Sequence, residues 1–176
     1  MAKCLIGIDV GTSGCKAIAV SEAGEILATG LAEYPLYSPK PGWNEQDPAD
    51  WWRGTCQAVA AMKRDLGDFE IAGVGLSGQM HGMVALDANN QVVRRAILWN
   101  DQRTQRQCDE ITQAAGGLDG LLAMTNNMML TGYTGGKVLW LKQEEPEHYA
   151  RTKVVICPKD YIRFLLTGQI MTEVSD

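Results

Sequence analysis

Gly7-Ile8-Asp9-Val10-Gly11-Thr12-Ser13-Gly14-Cys15-Lys16 lies where two runs rich in Ile and Val meet, Cys4 to Val10 and Cys15 to Val20. A glycine-bounded turn between such runs predicts a β-hairpin. A further turn at Glu22-Ala23-Gly24 leads into a third run, Glu25 to Leu31, so the chain is expected to open as a three-stranded antiparallel meander. The hairpin tip gathers one carboxylate, two hydroxyls, backbone N–H groups and one cation. Amides in a tight glycine turn can converge on an anion, Thr12 and Ser13 can donate to it, and Lys16 adds a point charge. A carboxylate such as Asp9 suits a polyphosphate only if a cation intervenes, which assigns Asp9 to Mg²⁺. A Walker A loop or a dinucleotide fingerprint would open a helix, whereas here a second strand follows. An ordinary hairpin turn also uses Gly, Thr and Ser, so residue types alone leave both readings open.

Downstream, Asp47-Pro48 reads as an N-cap followed by proline at the first helical position. A helix is expected to run to about Leu66, with Trp52, Cys56, Val59, Ala60 and Lys63 on its packed face and Arg53, Gln57 and Arg64 in water. Glu70 to Ser77, Met83 to Leu86 and Val154 to Cys157 read as strands. Gln102 to Ala115, stopped by Gly116-Gly117, a segment from Thr134 through Glu144, and Pro158 to Leu166 before Gly168 read as helices. Repeats, low-complexity tracts and linkers are missing from the sequence. The order predicts a single α/β domain over 1–176, a mixed sheet with helices on its faces.

Composition narrows the function classes. The 176 residues are 45% hydrophobic and 21% charged, enough for one core that buries roughly 70% of the unfolded surface. A net charge of −5 without a Lys or Arg cluster argues against nucleic-acid binding. Five scattered cysteines without a C-x-x-C pair argue against disulfides and structural zinc. The sequence holds no apolar run of membrane-spanning length and no signal-peptide pattern after Met1, so a cytoplasmic location without membrane partners is the default. Self-association as a homodimer through exposed apolar surface stays open.

Leu76-Ser77-Gly78-Gln79-Met80-His81-Gly82 breaks a strand with two glycines around three large side chains. Gln79 and His81 could hydrogen-bond a polyhydroxylated ligand, although a His beside a strand and a Met such as Met80 also serve plain packing. Asn100, Asp101 and Arg103 could line a sugar cleft, or start a helix with Asp101 capping and Arg103 pairing nearby.

The hairpin, Gly7-Ile8-Asp9-Val10-Gly11-Thr12-Ser13 with Lys16, resembles the first phosphate motif of the superfamily of sugar kinases, actin and actin-like chaperones. That resemblance implies a ribonuclease H-like (actin-like ATPase) fold, with phosphate contacts from Gly11, Thr12, Ser13 and Lys16 and with Asp9 near the metal. Ser77-Gly78-Gln79-Met80-His81-Gly82 resembles the sugar-binding stretch of the xylulokinase branch of the FGGY carbohydrate kinases. Trp43-Asn44-Glu45-Gln46-Asp47-Pro48, Ala96 to Arg103, Gly132-Tyr133-Thr134 with Lys137, and Pro158 to Tyr161 are similar to further FGGY segments. The resemblance implies an ATP- and Mg²⁺-dependent kinase for D-xylulose, with Met80 and His81 on the sugar; Gln79, Asn100 and Asp101 join them as candidate sugar contacts by residue type alone. Gluconate or ribulose are the alternative acceptors within the family, and a non-kinase actin-like nucleotide module is the alternative outside it. The catalytic base, an aspartate in a glycine-rich stretch, and the adenine-binding C-terminal domain are expected beyond Asp176, with the chain ending in mid-domain.

Overall fold

A computed structural model describes residues 2–174. In chain order the described elements are β1 (Ala2–Val10), β2 (Gly14–Ser21), β3 (Ile26–Glu33), β4 (Glu45–Gln46), α1 (Pro48–Asp65), β5 (Phe69–Gly78), β6 (Val84–Leu86) and β7 (Ala96–Ile97). After these come α2 (Gln105–Ala114), α3 (Gly117–Thr125), α4 (Thr134–Glu144), α5 (Pro146–Arg151), β8 (Val154–Ile156) and α6 (Pro158–Thr167). They fall into two compact units. One takes the chain up to Leu36 with Asp47–Met80 and Pro158–Glu173, and the other takes Tyr37–Gln46 and His81–Cys157. The chain end at 175–176 lies outside the described residues.

The first unit is built on a mixed sheet of order β3-β2-β1-β5, in which β1, β2 and β3 form the expected antiparallel meander and β5 runs parallel to β1. Alternation decides the faces. Cys4, Ile6, Ile8 and Val10 of β1 and Cys15, Ala17 and Ala19 of β2 are buried, while Leu5, Asp9 and Lys16 are exposed. Helix α1 packs on β2 and β3. Its start follows the sequence, with Asp47 Oδ1 accepting from Ala49 N at 3.0 Å and Pro48 opening the helix. The packed face does not. Trp51, Gly54, Thr55, Ala58 and Met62 are buried, whereas Cys56, Ala60 and Lys63 are exposed. The reason is close approach: a Cβ on Gly30 would stand 1.9 Å from the Ala58 carbonyl oxygen, and one on Gly54 2.7 Å from the Tyr34 ring. Small residues, Gly54 and Ala58, sit between the large Trp51 and Met62 on that face. Helix α6 packs on β5 and α1 and stops at Gly168, whose φ is 71°.

In the second unit β4 pairs with β7 and β6 with β8, both antiparallel. Met83, Ala85, Val93, Ile97, Trp140 and Leu141 form its apolar core, with Trp43 and Val155 against it. Two-residue strands carry too little alternation to be read from sequence. Helix α2 begins at Gln105 rather than Gln102, because the Asp101 carboxylate accepts from Arg103 N at 2.9 Å and holds those residues in a turn. Helix α3 is unexpected. Gly116 and Gly117 do break the helix, with φ of 89° and 85°, but the chain resumes helical conformation at once.

Candidate functional site

In the first unit, β1–β2 pairing makes Asp9 and Lys16 register partners, both exposed beside the turn. The Gly11 N–H donates to the Gly14 carbonyl at 3.0 Å. That bond shapes the turn. The Gly11 carbonyl in turn accepts two side-chain donors, Tyr34 Oη–H at 2.5 Å and Gln79 Nε2–H at 2.9 Å. Burial pushes the Tyr34 phenol far above its usual range, so it stays a donor at any ordinary pH. Ser13 is exposed at the tip, and Thr12 stands half-buried before it. A cavity of about 440 Å³ opens beside the turn, bounded by Asp9, Lys16, Ile18, Gly75, Leu76 and Ser77.

Among the described residues no group of three His, Cys, Asp or Glu side chains could hold a metal unaided. A single exposed carboxylate does fit Mg²⁺ that draws its other ligands from phosphate oxygens and water.

Strand β5 ends at Gly78, where a Cβ would stand 3.0 Å from the Val10 carbonyl oxygen. Gln79 follows, 4% exposed, with its N–H on the Val10 carbonyl at 2.9 Å and its own carbonyl accepting from Lys159 N at 3.2 Å. With its amide nitrogen on Gly11 as well, Gln79 faces the hairpin. Met80 is 38% exposed.

In the second unit His81 adopts the left-handed region, with φ of 57°. Its ring stands edge-on to that of Tyr133, centroids 4.9 Å apart. Its carbonyl accepts from Thr134 Oγ1–H at 3.1 Å and Lys137 Nζ at 2.8 Å. Asp101 is buried, and its carboxylate accepts from Arg103 Nε and Nη2 and from the Asn44 N–H at 2.7 Å. Arg103 also donates to Glu45 Oε1 at 2.7 Å and lies 3.8 Å from the Trp43 ring centroid. This buried ion pair and the Asn44 bond hold the 42–44 and 98–103 segments together. Asn100 differs: its Oδ1 is buried without a hydrogen-bond partner.

The N-terminal domain description of the FGGY family of carbohydrate kinases matches residues 4–176. The chain belongs to that family. Over 176 residues it is 47% identical to the xylulose kinase of Bacillus subtilis, covering 99% of this chain and 35% of that protein. It is 45% identical over 174 residues to the xylulose kinase of Lactococcus lactis, covering 98% of this chain and 34% of that one. The crystal structure of xylulose kinase from Rhodospirillum rubrum superposes with a TM-score of 0.89 at 32% identity, over 94% of this chain and 34% of that one. This FGGY chain therefore spans about a third of the length of the relatives it matches, and its fold is the actin-like ATPase α/β fold expected from the hairpin.

Three residues of the FGGY chain gain roles that their sequence context did not give them: Tyr34, Thr134 and Lys137. Tyr34 carried no signal, and Thr134 read only as part of a family-like segment at a helix start. Lys137 carried a faint one, since a cation in the first turn of a helix opposes the helix dipole and needs another reason to be there.

Proposed function

We propose that this chain supplies the phosphate-and-metal hairpin and one wall of the sugar site of a kinase that uses ATP and Mg²⁺ to convert D-xylulose to xylulose 5-phosphate. The observation that carries the reading is the exposed Asp9–Lys16 pair on a turn clamped through the Gly11 carbonyl by two buried side-chain donors. A rigid tip presenting Thr12, Ser13 and Lys16 suits phosphate oxygens, and Asp9 suits the accompanying Mg²⁺. Phosphoryl transfer demands in-line positioning and charge neutralisation above all, which are the services a fixed turn and a metal give.

The choice of sugar draws on the xylulose kinases among the relatives. Met80, His81 and the Asn100 amide oxygen are the proposed sugar contacts, with Gln79 and Asp101 holding the backbone around them. A cytoplasmic location accompanies the reading. Among the described residues no helix is long and apolar enough to cross a membrane.

The test is ADP release by the protein at its full encoded length, with Mg²⁺, ATP and D-xylulose, D-ribulose, D-gluconate or glycerol. The highest kcat/KM is expected with D-xylulose. A preference for another acceptor would change the substrate, and ADP release indifferent to any sugar would replace the kinase by an actin-like ATPase.

A further inference from the structure

The Lys137 side chain is wholly buried. Burying an ammonium group is costly unless every donor is satisfied. An ammonium has three N–H donors, and three carbonyl oxygens receive them: His81 at 2.8 Å, Tyr133 at 3.3 Å, and Gly132 at short range. Two of these carbonyls lie immediately before α4 and the third lies more than fifty residues upstream. The partners are backbone oxygens, so the lysine fixes chain path rather than neutralising an acid.

We propose that Lys137 is a positioning residue that locks the left-handed backbone of His81 and so sets the direction of the ring that faces the sugar. The proposal rests on the sugar reading above for its functional half. A left-handed conformation is disfavoured for a residue with a Cβ, and it persists only where its surroundings hold it. Here the His81 carbonyl is held by two donors, Lys137 Nζ and Thr134 Oγ1, both from the first turn of α4. Gly132 is itself pressed against the 99–101 turn, where a Cβ would stand 2.9 Å from the Trp99 carbonyl oxygen. Lys137 therefore ties His81 to the turn that carries Asn100.

The charge on this lysine is open to titration. Burial lowers its pKa to about 8, against the upward pull of Asp101, Cys157 and Cys108, while Arg103 adds to the lowering. A neutral amine offers two N–H donors, so deprotonation leaves one of the three carbonyls unserved.

The experiment compares wild type, Lys137→Met and Thr134→Val at full encoded length, by hydrogen exchange of the peptide spanning residues 79–84 and by steady-state kinetics from pH 6.5 to 9.5. Lys137→Met is expected to speed exchange at His81 to Met83 at least about tenfold. It is expected to raise the D-xylulose KM by a similar factor with a smaller change in the ATP KM, and to flatten a wild-type rise in sugar KM through pH 8. Thr134→Val should move both readouts in the same direction, and it keeps the test intact should Lys137→Met fail to fold. Wild-type exchange and sugar KM in both variants would overturn the proposal. Should D-xylulose not be turned over by wild type, the substrate assignment falls on its own while exchange at 79–84 still decides the role of Lys137.

Discussion

The side-chain amide of Gln79 donates to the carbonyl oxygen of Gly11 at 2.9 Å, across 68 residues of sequence. The residue that opens the Gln-Met-His-Gly stretch thus serves the hairpin. With Tyr34 on the same carbonyl, the turn before Thr12 is held from two sides by side chains that are themselves buried.

Gln79→Leu removes one of those donors at nearly constant volume. Stability should fall by about 1 kcal/mol, the usual net worth of such a bond, seen as a lower urea midpoint. The ATP KM should rise more than the sugar KM. A variant in which only sugar kinetics moved would return Gln79 to the sugar wall.

Tyr34→Phe should likewise cost about 1 kcal/mol at neutral pH. Its pH dependence has a definite sign. Desolvation, reinforced by Cys15 and Asp9, raises the folded phenol above its ordinary value. Above about pH 10 the unfolded chain releases this proton and the folded chain keeps it, so wild-type stability declines with rising pH. The variant should lose less over that window, as read by thermal midpoints from pH 8 to 11.

Arg103→Met strands two buried carboxylates, Asp101 and Glu45, although Glu45 retains Arg94 at 2.5 Å. A loss of about 3–5 kcal/mol is expected, because an uncompensated buried charge costs more than the pair contributes. Chemical denaturation checks it, and a loss below about 1 kcal/mol would mean that water reaches Asp101.

Met80→Ala and His81→Asn should each raise the D-xylulose KM by about tenfold or more with little change in the ATP KM, as expected for a lost contact worth about 1.4 kcal/mol. Asparagine is chosen because it tolerates the left-handed backbone. Unchanged sugar kinetics in both variants would remove them from the sugar wall.

Asp9→Asn should depress kcat and the response to Mg²⁺ while sparing sugar affinity, and a fully active variant would sink the metal assignment. Titration of MgCl₂ at fixed ATP separates the two outcomes.

Local sequence carried the meander, the cap of α1 and the position of β5, because these rest on alternation and capping chemistry confined to a few consecutive residues; the expectation that β5 is a buried strand fails, since none of its residues is buried. Periodicity misplaced the packed face of α1, because Gly54 and Ala58 are buried for their smallness against Gly30 and Tyr34, and apolar patterning is blind to that. The hairpin's chemistry was legible as residue types; the use of the Gly11 amide by Gly14 was not, since it depends on the turn geometry. Gln79 and Asp101 were read as ligand groups because amides and carboxylates suit hydroxyls, yet each is consumed by a partner far away in sequence or by the neighbouring guanidinium. Side-chain type announces capacity, and only tertiary structure says who takes it up.

The enclosure of Lys137 makes it an internal chemical clock. Amine-acylating reagents meet Lys3, Lys16 and Lys63 directly at the surface, but they reach Lys137 only when the His81 turn parts from α4. The rate at which that one lysine is modified therefore reports how often its enclosure opens.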